Sequence, residues 1–223
     1  MNWISWLSDF FSSPDRRSGP DSILNRVGEH LALSGEALLY AAVLAVPLGL
    51  LIGYTGRGAG AVTALTGVAR ALPTLGLVTL AVLLAGVGEN AVLLPLVALA
   101  APVLLVAACE GVRGTDPDLR DAARGIGLTH RQVLSRVCVP SALPALLAGL
   151  RTAAVQVIAT ATVAAYVGLG GLGRYVVDGL ATHNFPLTVG GALLVVLLAV
   201  ATQLLFAALN RFALPAGLRR PRR

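Results

Sequence analysis

The chain has 223 residues, 56% of them hydrophobic and only 13% charged, against about a quarter charged in a typical soluble domain. That composition excludes a water-soluble globule and points to a polytopic membrane protein. The formal charge is +6 and all 17 basic residues are Arg; without Lys, the chain is neither a P-loop ATPase nor a Schiff-base enzyme.

Residues 1–30 read as an external N-terminal segment, 31–210 as the transmembrane domain and 211–223 as a basic tail. Trp3, Trp6, Leu7, Phe10 and Phe11 recur at spacings of three and four. They predict either a helix at the membrane–water boundary, where Trp is favoured, or a frayed tail whose aromatics carry no role. Residues 1–13 lack the basic start, apolar core and cleavage site of a secretory signal, so no cleavage is expected. Ser12 to Pro20 reads as a polar linker.

A helix crossing a hydrocarbon core of about 30 Å needs roughly 20 mostly apolar residues. Five segments qualify: Leu33–Gly53, Val62–Gly86, Asn90–Cys109, Leu143–Val167 and Phe185–Leu209. Gly49 and Gly53 in the first form a small-xxx-small pair suited to close helix packing. Pro95 and Pro102 should kink the third. An odd number of spans puts the termini on opposite sides of the membrane.

Arg placement sets the orientation. Arg113, Arg120, Arg124, Arg131 and Arg136 lie between spans three and four, and Arg211, Arg219, Arg220, Arg222 and Arg223 lie in the tail. The positive-inside rule makes both cytoplasmic. Arg57 joins that side, the loop at Glu89 has no Arg, and the loop after span four has Arg174 alone. The N terminus is then outside, where Asp9, Asp15, Asp21 and Glu29 accompany Arg16, Arg17 and Arg26.

The long polar loop, Glu110 to Pro140, reads as two short helices. Asp116 is an N-cap with Pro117 at the first helical position. Leu119, Ala122, Ala123 and Ile126 then form an apolar stripe opposite Asp118, Arg120, Asp121 and Arg124. Gly127 caps the C-terminal end. Thr129 and Gln132 have capping-box spacing for a second helix, which should stop near Pro140. Such a unit at the membrane surface suits docking of another protein or capping of its own bundle. Cys138 falls in this polar loop and Cys109 ends an apolar run; they make no disulfide framework or metal site.

Within the spans, Arg70 and Arg151 lie about nine residues, roughly 13 Å, beyond the predicted helix starts. They are either pathway groups or interfacial anchors. Thr152, Gln156 and Thr160 share one face at i, i+4 and i+8, and either line a polar cavity or join helices by hydrogen bonds. Tyr40, Tyr166, Phe185 and Phe206 form no cluster in the sequence, with Tyr166 at the outer end of span four. The Gly168, Gly170, Gly173 spacing satisfies GxGxxG but lacks the strand and βαβ unit of a dinucleotide site. With Gly171 it predicts a flexible external turn and a short re-entering helix near Tyr175–Leu180. His30, His130 and His183 are too scattered for a metal site and are assigned no chemistry.

The string Asp121-Ala122-Ala123, three residues, Gly127, nine residues, Val137, one residue, Val139-Pro140 resembles the EAA loop of ABC-importer permease subunits, with Asp for the usual Glu and Val at the Ile and Leu positions. Arg70-Ala71-Leu72-Pro73-Thr74-Leu75-Gly76, Gly149-Leu150-Arg151-Thr152-Ala153 and Gly168–Gly173 resemble permeases of osmoprotectant importers for glycine betaine, carnitine, choline or proline betaine. The resemblance implies an all-α, five-span type I permease whose EAA residues, Asp121, Ala122, Ala123, Gly127, Val137 and Pro140, form the coupling helix. Arg70, Pro73, Arg151, Thr152, Gln156, Thr160 and Tyr166 become candidate pathway residues. The implied partners are two cytoplasmic ATPases that use ATP and Mg, a second permease copy or paralogue, and an external substrate-binding protein in a bacterial inner membrane. No cofactor in this chain and no nucleic-acid partner are expected. The rivals are the same fold importing methionine or a sulfonate, and an ATP-independent carrier; an intramembrane enzyme lacks the nucleophile–base pair it needs.

Overall fold

A computed structural model describes residues 2–213, except the side chains of residues 69, 70, 212 and 213, and all regular elements among them are helical. Arg70's side chain and the tail from residue 214, with Arg219, Arg220, Arg222 and Arg223, lie outside the described residues. The helices are α1 (Trp3–Ser12), α2 (Ile23–Thr55), α3 (Ala59–Ala71), α4 (Thr74–Ala85), α5 (Glu89–Arg113), α6 (Pro117–Gly125), α7 (His130–Val133), α8 (Val139–Ala161), α9 (Gly173–Ala181) and α10 (Phe185–Ala213). Four continuous helical stretches are long and apolar enough to cross a membrane: Ile23–Thr55, Glu89–Arg113, His130–Val167 and Phe185–Arg211.

The second predicted span is corrected: two shorter helices, α3 and α4, replace one continuous Val62–Gly86 helix. Pro73 lacks an N–H and disfavours helical dihedrals at the preceding residue. Leu72 accordingly takes φ −74°, ψ 129°, and the helix restarts at Thr74. The first span also differs, since α2 begins ten residues before Leu33. Its start is fixed by Ser22, whose side chain accepts the Asn25 N–H.

Helix α5 is the centre of the bundle, with Leu96, Leu104 and Val92 fully buried. Lipid is as apolar as these side chains, so close packing rather than water exclusion holds such helices together. The sequence supplies small residues for it. On α2, Ala37, Ala41, Ala45, Gly49 and Gly53 recur every fourth residue, and all are buried. A Cβ on Gly49 would come within 2.5 Å of the Leu105 carbonyl oxygen. On α8, Gly149 backs directly onto Ala107, and Ala153, Val157 and Ala161 continue its buried row. Leu105 faces Gly49 while Cys109 faces Gly53, so α2 and α5 run parallel. Ala107 faces Gly149 while Leu99 meets Gln156, so α5 and α8 are antiparallel. Thr55, Arg113 and the α6–α7 hairpin therefore share one end of the bundle, and α1, Glu89 and α9 the other.

A capped hairpin, a polar helix face and a pinned turn

The hairpin is built by its caps. Asp116 Oδ1 accepts the Asp118 N–H at 2.9 Å and starts α6 at Pro117. Gly127 then takes φ +87°, which lets its N–H donate to the Arg124 carbonyl at 2.9 Å and the Leu128 N–H to the Ala123 carbonyl at 3.2 Å. This is a Schellman closure, and its left-handed residue favours Gly. Thr129 and Gln132 complete the capping box, with N–H to oxygen distances of 2.8 and 3.4 Å.

The predicted stop near Pro140 is overturned. α7 passes through a π-turn, Leu134–Cys138, directly into α8, and the Val139 N–H reaches five residues back to the Leu134 carbonyl. Pro140 offers no N–H and its ring crowds the carbonyl four residues back; a widened turn relieves that conflict without ending the helix. Cys138 is consequently buried, not in a polar loop. The predicted apolar stripe of α6 also divides: Ala123 turns inward, whereas Leu119, Ala122 and Ile126 face outward, Ile126 with 81% of its surface free.

Ala123, Val112, Val133, Cys138 and Ala142 form a small core that Leu50, Tyr54, Leu128 and Val137 complete. It fastens the hairpin to α2, α5 and α8 together. Tyr54 Oη and His130 Nδ1 are 2.9 Å apart, and Arg120 donates to the Val112 carbonyl. Asp121 is exposed and pairs with Arg124 at 3.6 Å, while Pro140 is exposed. The six EAA positions thus divide between a fastened inner side and a free outer side.

The polar residues of α8 remain on one side. Thr152 is exposed, Gln156 and Thr160 are half-buried, and the two Thr hydroxyls donate to carbonyls one turn back. Gln156 Nε2 reaches the Leu99 carbonyl at 3.5 Å. Since Gly149 is level with Ala107, Arg151 is level with about residue 105 of α5, roughly 12 Å from its Arg113 end at 1.5 Å per residue. Arg151 is half-buried and makes no ion pair among the described residues. Pro73 is exposed at the break between α3 and α4, and Tyr166 is 58% exposed in the 3-10 turn Thr162–Val167 that ends α8.

The glycine turn leads into the short helix α9, and it is pinned by contacts rather than free. Gly168 and Gly171 have φ near +87° and +89°. The Gly171 N–H donates to Glu29 Oε2 at 2.7 Å, Gly170 lies directly against the same carboxylate, and Gly173 backs onto the Thr162 backbone. The N-terminal aromatics are likewise partly docked: Trp6 stacks on Phe185 at 5.4 Å, and Phe10 is buried edge-on to Tyr175 at 5.4 Å. Trp3 stays 61% exposed. Burial pushes the Tyr175 phenol above the ordinary tyrosine range, with Arg16 opposing the shift, so it remains a protonated donor to the Asp21 carbonyl at 2.5 Å. Sequence reasoning missed Glu29, His30, Tyr54 and Tyr175. Their one signal was polar residues in or beside apolar runs, and their partners are remote in the chain.

Residues 45–214 match the family described as binding-protein-dependent transport system inner membrane component. The glycine betaine/carnitine/choline transport system permease protein OpuCB of Bacillus subtilis is 33% identical over 88% of this chain and 90% of its own length. The osmoprotectant import permease protein OsmW of Salmonella typhimurium is 35% identical over 86% and 91%. Among solved structures, a chain of the inward-facing MetNI methionine ABC transporter superposes with a TM-score of 0.75 at 23% identity, covering 89% of this chain and 96% of that one. The small-residue bundle, the capped hairpin and the near full-length likeness converge: this chain belongs to the binding-protein-dependent transport inner membrane component family and has the ABC-importer permease fold.

Proposed function

We propose that the protein forms the translocation pathway of an ATP-driven importer for compatible solutes of the glycine betaine, carnitine and choline class. The observation that carries the solute class is the near full-length likeness to permeases named for those solutes. The α6–α7 hairpin supports the coupling mechanism. With no Lys for a phosphate loop, energy from ATP and Mg enters through contact with a separate cytoplasmic ATPase. Leu119, Ala122 and Ile126 provide an apolar contact surface, and Asp121 and Arg124 its charged border.

Closure of the ATPase pair pushes the hairpin, and the small core transfers the motion to α2, α5 and α8 together. The Arg-rich hairpin end and tail sequence support a cytoplasmic side there by the positive-inside rule, with the α9 end and the N terminus outside. A second permease copy or paralogue faces the Arg151, Thr152, Gln156 and Thr160 surface across the pathway, and an external binding protein delivers the solute. Arg70, Pro73 and Tyr166 belong to the same pathway. Uptake of labelled glycine betaine by an osmosensitive host tests the proposal, with and without the partner subunits. Uptake that requires all subunits and is competed by choline or carnitine supports it; uptake of methionine or a sulfonate instead contradicts the solute class.

A further inference from the structure

One turn of α2 grips both the last turns of α8 and the glycine turn that follows it. The Glu29 carboxylate accepts three hydrogen bonds: from Asn25 Nδ2 at 3.1 Å, Arg26 Nη1 at 2.8 Å and the Gly171 N–H at 2.7 Å. Arg26 is shared with Asp21, which makes a continuous chain of charge. The next residue, His30, is 1% exposed, and its Nε2 lies 2.9 Å from the Ile158 carbonyl. A carbonyl only accepts, so Nε2 carries the proton. A side chain on Gly170 would displace the Glu29 carboxylate, and a Cβ on Gly171 would come within 3.2 Å of His30 Nδ1. The glycine pair is what lets the carboxylate reach the backbone.

The far side of the segment is held by the N-terminal residues. Tyr175 donates to the Asp21 carbonyl, Arg16 lies 4.8 Å over the Tyr175 ring, and Phe10 fits against Gly190 of α10. Leu169 and Gly170 border a cavity of about 320 Å³ that Glu29, Ala32, Leu33 and Glu89 also line. A displacement of the turn therefore changes the shape of that cavity.

We propose that Glu29, with His30 tying the same turn of α2 to α8 and packing against Gly171, is a latch, backed by the α1–Arg16–Tyr175 contacts, that positions the Gly168–Ala181 segment at the external mouth of the pathway. This rests on the importer reading for its role in transport, but the latch itself is measurable without any solute. Hydrogen–deuterium exchange on the full complex in lipid vesicles reads it directly. In Glu29→Ala, amides of Gly168–Ala181 should exchange about tenfold faster, with α5 unchanged, because a charge-assisted hydrogen bond that holds the segment is lost. Glu29→Gln retains an acceptor and should fall between that variant and the native protein. Tyr175→Phe, which keeps the ring contacts, should loosen α9 more mildly.

Native exchange rates in both Glu29→Ala and Tyr175→Phe would overturn the latch. If Glu29→Ala does not assemble, Glu29→Gln and Tyr175→Phe decide the matter on the same readout. For the positioning role, binding-protein-dependent uptake by Glu29→Gln should show a half-saturating concentration raised several-fold, with the maximal rate within about twofold of native. An unchanged half-saturating concentration in a variant whose segment exchanges faster would overturn that role while leaving the latch intact.

Discussion

Gly127 is the residue where backbone chemistry and the proposed coupling meet most simply. Its φ of +87° is unfavourable for a residue with a Cβ, yet the space around it is open, so a substitution there acts through strain alone. Gly127→Val should strain the hairpin closure by about 1–2 kcal/mol and lower ATP-driven uptake while the protein still reaches the membrane. Uptake normalised to immunodetected permease checks this. Gly49 is the opposite case, because its φ is helical but α5 fills the space a side chain would take. Gly49→Leu should destabilise the bundle by about 1–3 kcal/mol, seen as a lower unfolding temperature in mild detergent. An unchanged unfolding temperature would contradict the packing described for α2 and α5.

At the scale of elements, the π-turn joins the α6–α7 hairpin to α8, the place where the proposed stroke would enter the span. Pro140→Ala restores an N–H and removes the ring that favours the widened turn. Exchange at Leu134–Cys138 should then slow, and uptake should fall if the turn serves as a hinge; faster exchange with normal uptake would contradict that use. The caps of α6 and α7 were legible in the sequence because each depends on residues within four positions of one another: Asp116 to Asp118, Gly127 to Arg124, Thr129 to Gln132. The first, third and fifth apolar spans were legible by composition, although α2 extends well outside its predicted start. The break at Pro73 and the passage through Pro140 were not. The same residue type ends a helix in one place and is absorbed by a widened turn in the other, and the neighbours that decide this are remote. Glu29 and Gly171 show the same limit, being 142 positions apart.

The whole molecule divides its labour: α5 and its small-residue contacts hold the bundle, and the hairpin's outer face is the proposed receiver of the ATPase stroke. Ile126 distinguishes the two functions, since it is 81% exposed and lies outside the small core beneath the hairpin. Replacing it by Glu should leave the fold intact and disrupt only the proposed apolar contact with the ATPase. The most direct test measures solute uptake and ATP hydrolysis together in vesicles containing the full importer, native or Ile126→Glu. The expected result is a normal permease level, uptake reduced about tenfold or more, and hydrolysis no longer stimulated by solute-loaded binding protein, as when a desolvated apolar contact becomes a buried unpaired charge. Native uptake and native stimulation in the Ile126→Glu importer would contradict it.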